Sequence, residues 1–292
     1  MPITPQAGAS RTAVRPIVAA GSPRSSTGPR AGTLNAAEGP TVRIVPLPIL
    51  ADNYVMVLVD DAARTAVLVD PGEAGAPLEL LERERLAPVA LLITHHHADH
   101  VGGVSRIAAR WAGLRVYGAA ADRRRLPGVT DPVREGDAVP ILDRTARVLD
   151  VPGHTLGHIA WFLPDGSAGG DLFSGDTLFG GTIGNLFEGT PDDMFASLRK
   201  IRRLPPATRI WCGHEYTLAY VREAARFDPG HARLAERLRR LEAAAPGSCT
   251  LPLTLEEERA TNPFFKWDDP DLTRRLGTAP GIETFRRLCD LL

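Results

Sequence analysis

Val89-Ala90-Leu91-Leu92-Ile93-Thr94-His95-His96-His97-Ala98-Asp99-His100-Val101-Gly102-Gly103 is the stretch that decides how this chain folds. Its first five residues make an apolar run of buried-strand length. Four histidines and a carboxylate follow within six positions, and Gly102-Gly103 then turns the chain. In an extended chain, residues two apart face the same side, so His95 and His97 point together while His96 points away. Imidazole and carboxylate donors suit borderline-hard divalent cations. Asp99 and His100, just past the strand, could serve a second ion. A solvated histidine tract would not sit between an apolar strand and a Gly-Gly turn, so the stretch reads as a metal site, single or double.

Three more strand ends repeat this grammar. Pro152-Gly153-His154 follows Arg147–Val151, Gly175-Asp176 follows Gly170–Ser174, and Gly213-His214 follows Arg209–Trp211. Each alone has a plain structural alternative: Asp176 could cap a turn, and His154 or His214 could be a satisfied core histidine. Together they deliver one donor each to glycine-adjacent strand ends, where α/β enzymes gather catalytic groups from distant parts of the chain. His158 reads as part of a strand, and His231 as surface at a helix start.

Further strands are expected at Val42–Val45, Tyr54–Val59, Ala66–Val69 and His158–Leu163, from short apolar or β-branched runs between turn residues. Helices are expected at Leu78–Leu86 and Val104–Trp111. Another is expected at Pro191–Ile201, with Thr190 as N-cap and proline at the first helical position. Downstream, Leu218–Arg226, Ala232–Ala245, Leu255–Ala260 and Ile282–Leu291 read as helices, with no strand among them. The reading is an α/β body over residues 41–214, then a small helical domain over 215–292.

The totals narrow the function classes. A 292-residue chain can bury a large core, and 43% hydrophobic with 24% charged residues is ordinary for a globular protein. A net charge of -1 offers no basic field for nucleic acid, and no apolar run reaches membrane-span length. Cys212, Cys249 and Cys289 are too few and too scattered for a disulfide framework, which favours a reducing, cytoplasmic setting. Residues 1–40 are rich in Ala, Gly, Pro, Ser and Arg, with no acid before Glu38. They read as a disordered tail or as a mitochondrial or plastid transit peptide; without an apolar core segment, a secretory signal is disfavoured.

The set His95-x-His97-x-Asp99-His100 with His154, Asp176 and His214 resembles the seven-ligand set of the metallo-β-lactamase superfamily. The finer resemblance is to the glyoxalase II (hydroxyacylglutathione hydrolase) family. It rests on Thr94–Gly103, Ser174-Gly175-Asp176-Thr177-Leu178-Phe179, Phe187-Glu188-Gly189-Thr190, Cys212-Gly213-His214-Glu215-Tyr216-Thr217 and Asn262-Pro263-Phe264, and runs from about Val42 to the C-terminus. It implies a four-layer αββα sandwich followed by a helical substrate-binding domain. His95, His97 and His154 would hold one ion, Asp99, His100 and His214 the other, and Asp176 would bridge them. The ions implied are zinc, with iron or manganese compatible with the same donors. The activity implied is hydrolysis of S-lactoylglutathione by a monomer, with Asp99 and Asp176 as catalytic carboxylates.

The carrier-binding residues match only in part. Tyr216 and Arg286 fit the family pattern. Asn185 stands where the family has Lys or Arg, Phe187 where it often has Tyr, and Cys289 where it has Lys. Each missing charge-assisted hydrogen bond is worth about 1.5–3 kcal/mol. A related thioester on a different thiol carrier is therefore the alternative substrate. A one-iron persulfide dioxygenase would not need Asp99, His100 and His214, a lactamase would place Cys at position 176, and a nuclease of this superfamily would need a basic groove.

Overall fold

The computed structural model describes residues 42–166 and 168–292, so the expectation for residues 1–40 lies outside it. Alternation of side chains along the strands builds two mixed sheets. The first has the order β1 (Arg43–Ile49), β2 (Asn53–Asp60), β3 (Thr65–Val69), β4 (Ala87–Leu92), β5 (Arg115–Ala119) and β6 (Asp131–Val133). β1, β2 and β3 pair antiparallel, and β3 to β6 parallel. α1 (Gly75–Arg83) links β3 to β4, and α2 (Ala98–Val101) and α3 (Val104–Ala108) link β4 to β5.

β7 (Ala138–Ile141), β8 (Arg144–Asp150), β9 (Ile159–Pro164) and β10 (Gly169–Gly175) open the second sheet. A small hairpin, β11 (Leu178–Phe179) with β12 (Thr182–Ile183), and α4 (Pro191–Ile201) follow. β13 (Ala207–Cys212) then runs parallel to β10. Past it come α5 (Thr217–Phe227), α6 (Ala232–Ala243), β14 (Leu253–Thr254), α7 (Leu255–Thr261), α8 (Pro270–Leu276) and α9 (Ile282–Cys289). The second sheet has the order β14-β13-β10-β9-β8-β7.

Both faces of each sheet are covered, which makes four layers. Between the sheets, Met56, Leu58, Val67 and Leu92 meet Val148, Trp161, Phe173 and Trp211. On the outer side of the first sheet, Val57, Leu68 and Leu91 pack on Leu78 and Leu81 of α1 and Val104 and Ile107 of α3. On the outer side of the second, Phe162, Leu172 and Ile210 pack on Met194, Leu198 and Ile201 of α4. Phe264, Phe265, Trp267 and Phe285 from the C-terminal helices join that same cluster, so these helices share a core with the sandwich. This is the expected αββα sandwich with helices after it.

Several boundaries differ from expectation. The region after residue 214 does contain a strand: β14 pairs with β13 through Arg209↔Thr254 and Ile210↔Leu253, too short to leave a periodic signal. α1 stops at Arg83 because Arg85 takes a left-handed φ of 52°. α3 stops at Ala108, and Arg110-Trp111 turns toward Gly113, whose φ is 80°. The Pro191–Ile201 helix has the expected bounds, with a capping box between Thr190 and Asp193. Among the described residues no helix is long and apolar enough to cross a membrane.

Candidate metal centre

Topology brings the donors together. β1 runs parallel to β3 because both pair antiparallel with β2, and β8 runs parallel to β10 because both pair antiparallel with β9. The C-terminal ends of β1, β3, β4 and β5 therefore open on one edge of the first sheet, and those of β8, β10 and β13 on one edge of the second. The donor residues lie just past β4, β8, β10 and β13.

His95, His97 and His154 converge as one group, with His154 Nε2 3.0 Å from His97 Nδ1. Asp99, His100 and His214 converge as another. In it, His100 Nε2 lies 3.3 Å from His214 Nε2, and Asp99 Oδ2 lies 3.4 Å from His214 Nε2. Asp176 reaches both groups, with Oδ2 3.6 Å from His154 Nε2 and 3.3 Å from His214 Nε2, and Oδ1 3.4 Å from His100 Nε2. Two donors about 2.0–2.1 Å from one tetrahedral cation stand roughly 3.3–3.4 Å apart, so these spacings suit metal ligation. The buried atoms His95 Nε2 and Asp176 Oδ1 have no hydrogen-bond partner within the protein. Leaving a buried polar atom unmet costs about 1–3 kcal/mol, a cost that a cation between the groups removes. By both tests, these residues fit divalent metal.

In the first group and at Asp176 the charge states suit that role, since a ligating imidazole must be neutral and a ligating carboxylate ionised. Burial holds His95 well below its ordinary range, and also lowers His97 and His154. Burial alone would raise Asp176, but His100 and His214 hold it well below the usual carboxylate range. In the second group the shift runs the other way: against their own burial, His100 is pushed up by Asp176 and Asp70, and His214 by Asp176 and Asp52, so the carboxylates there favour a positive charge beside them.

Glycine makes the convergence possible. A Cβ on Gly213 would sit 2.5 Å from Asp176 Oδ1 and 2.6 Å from His100 Cε1. Gly175, at φ 48°, would place one 2.4 Å from Thr94 Oγ1. Side chains that fix ring orientation complete the site, and these the sequence reading missed. Asp70, at the end of β3, accepts from Thr94 N (2.7 Å) and Thr94 Oγ1 (2.5 Å) and faces His100 Nδ1 at 3.1 Å. Its oxygens are thereby engaged, which makes it a support for His100 and not a further ligand. Asn53 Nδ2 donates to Asp99 Oδ2 at 2.9 Å, and Asp52 Oδ1 lies 2.9 Å from His214 Nδ1. The Asn185 carbonyl receives His154 Nδ1 at 2.8 Å. His158, expected inside a strand, precedes β9; its buried ring stacks on His95 at 4.6 Å, and its Nε2 accepts from Asp176 N. The Asp52-Asn53-Tyr54 turn carried no metal-site spacing, and only the fold brings it to His214.

His96 turns away, as expected, toward Asp122 and Arg125. His231 caps α6 by accepting from Leu234 N. A cavity of about 410 Å³ lies over the donors, lined by His97, Asp99, His154, Asp176 and His214 together with Phe179, Asn185, Phe187, Tyr216 and Tyr220. Of the four carrier-binding residues expected from sequence, Asn185, Phe187 and Tyr216 line it. Arg286 does not: its guanidinium is exposed and engaged by Asp192, at 2.7 and 3.1 Å. Among the described lining residues there is no lysine or arginine.

A sandwich of two mixed sheets with histidines and aspartates gathered at its strand ends defines a metallo-β-lactamase-type protein. The metallo-β-lactamase superfamily model matches residues 51–214, and the model for the hydroxyacylglutathione hydrolase C-terminus matches residues 215–291. A hydroxyacylglutathione hydrolase of Synechococcus sp. (strain JA-3-3Ab) is 46% identical over 248 residues, covering 85% of this chain and 97% of that one. The crystal structure of the BLEG-1 B3 metallo-β-lactamase is similar at a TM-score of 0.58 and 26% identity, covering 76% of this chain and 99% of its own. A protein solved in a di-iron-bound form is similar at a TM-score of 0.52 and 30% identity, covering 75% and 100%. The chain belongs to the hydroxyacylglutathione hydrolase family.

Proposed function

We propose that this chain hydrolyses S-(2-hydroxyacyl)glutathione thioesters, S-lactoylglutathione among them, to the hydroxy acid and free glutathione. The observation that carries the reading is the pair of donor groups meeting at Asp176, in a chain whose relatives bear the hydroxyacylglutathione hydrolase name. His95, His97 and His154 would hold one divalent ion, Asp99, His100 and His214 a second, with Asp176 facing both and zinc the expected metal. Such ions, when bound, polarise a carbonyl oxygen and acidify water.

The chain's own groups do the rest. Asn53 fixes one oxygen of Asp99, and Asp99 then orients the attacking water and accepts its proton. Phe179 and Phe187 line the cavity and offer apolar surface to the acyl group. A thiolate leaves readily, so no strong general acid is required. Hydrolysis of S-lactoylglutathione, measured beside metal content on one preparation, tests this. Turnover with two divalent ions per chain is expected. Absence of hydrolysis by metal-replete protein, or full turnover by a His97→Ala variant, would overturn it.

A second reading, hydrolysis of a thioester on another carrier, is favoured by a cavity lining that holds no Lys or Arg among the described residues and by Arg286 lying outside it. Comparing kcat/KM for S-lactoylglutathione with that for other thiol thioesters separates the two. A one-iron persulfide dioxygenase would leave Asp99, His100 and His214 without a role.

A further inference from the structure

Asp52 stands in the turn between β1 and β2 and reaches across to the second donor group. One of its oxygens, Oδ1, serves two partners: it lies 2.9 Å from His214 Nδ1, and the Tyr216 hydroxyl donates to it at 3.2 Å. The two rings so joined are stacked, 4.8 Å between centroids and 8° from parallel. Neighbouring backbone holds the turn in register, with Tyr54 N donating to Gly213 O at 2.8 Å and Glu215 N to Asp52 O at 2.9 Å. In the first donor group the corresponding supports are neutral: His154 Nδ1 meets the Asn185 carbonyl, and His95 Nδ1 meets Thr94 Oγ1. Asp70, which supports His100, is buried, whereas the Asp52 side chain is 40% exposed beside the cavity.

A carboxylate oxygen shared between a metal-ligating imidazole and a phenol divides its basicity between them. We propose that Asp52 is a positioning residue that couples the Tyr216 hydroxyl to the hold of His214 on the second ion. A ligand that draws the Tyr216 hydroxyl to itself then leaves Asp52 wholly to His214 and tightens that ion. The inference rests on the two-ion reading given above, with Tyr216 as a carrier contact.

The test measures zinc, so it stands apart from any question of substrate. Full-length wild type, Asp52→Asn and Tyr216→Phe proteins are loaded with zinc and dialysed against a graded chelator, and bound zinc is counted by mass spectrometry. Loss of a carboxylate behind a metal-bound histidine costs 10–100-fold in affinity. Asp52→Asn is therefore expected to lose its second zinc at 10–100-fold lower chelator strength than wild type, with the first zinc unmoved. Tyr216→Phe, which frees Oδ1, is expected to hold the second zinc at least as tightly as wild type. Equal retention of both ions by Asp52→Asn would overturn the proposal. So would a Tyr216→Phe protein as weak as Asp52→Asn, because the tyrosine would then support the site and not compete for Asp52. If wild type binds only one zinc, the two-ion reading itself fails.

Discussion

Glu258 and Arg237 form an ion pair buried under the β11–β12 hairpin, which brings Phe179 to the cavity. The two side chains are 0% and 2% exposed. Glu258 Oε1 accepts from Arg237 Nη2 at 2.5 Å, while Oε2 accepts from Gly181 N at 2.9 Å and Asn262 Nδ2 at 3.0 Å. Replacing Glu258 by alanine leaves the guanidinium without its main counter-charge, a change that costs about 3–5 kcal/mol. Two features of the site bear on that figure. Glu257 Oε2 remains 3.4 Å from Arg237 Nε and keeps part of the charge compensated, which pulls the cost down. The Gly181 N–H loses its acceptor inside the protein, which adds about 1–3 kcal/mol for a buried donor. A loss of about 3–5 kcal/mol is therefore expected, or roughly 6–20 °C in Tm for a body of this size. Urea denaturation followed by circular dichroism measures it, and the exposed pair Arg222–Glu242, with side chains 49% and 44% exposed, is the control. Breaking that pair should cost no more than about 1 kcal/mol. A Glu258→Ala protein that also lost less than about 1 kcal/mol would refute the claim that this pair braces the hairpin.

Gly213→Ala pushes a methyl group onto Asp176 and His100, so it should fold yet bind less than the wild-type complement of metal, read by elemental analysis. Asp176→Asn removes the carboxylate that faces both donor groups and should weaken both ions together, unlike Asp52→Asn; calorimetric zinc titration distinguishes them. Glu188 is held down to about 2 by Arg125, from an ordinary 4.5, and it also accepts from Leu156 N. A carboxylate with a depressed folded pKa binds fewer protons folded than unfolded, so its contribution is complete above about pH 4.5 and is lost as pH falls toward about 2. Replacing Glu188 by glutamine should flatten the stability profile in that window, and an unchanged slope of urea midpoint against pH would count against the pair. Strong chelation should abolish hydrolysis, and adding back divalent metal should restore it.

What the sequence made legible was whatever is written in local pattern. The strand before His95, the glycine-flanked donors at 154, 176 and 214, and the capped helix Pro191–Ile201 all have short-range signatures. Supports that act across the fold have none. Asp52, Asn53 and Asp70 lie 162, 46 and 30 residues from the partners they hold, and nothing in their own neighbourhoods marks them. His158 reads as part of an ordinary strand from its flanks, yet its ring is stacked on His95. Arg286 is read from a pattern near the C-terminus, and no pattern signals that its guanidinium meets Asp192 of α4. α8 carried a readable start, Asp269 followed by Pro270, but its seven residues left too little periodicity to notice.

β14 is only two residues long, yet it sits on the outer side of β13 and takes up hydrogen bonds that strand would otherwise present to solvent. β13 holds Ile210 and Trp211 beside the path to His214, and an open edge of that character is a template for strand addition by another chain. The Leu253-Thr254 pair thus works as a guard against self-association as well as a seam between sandwich and helices.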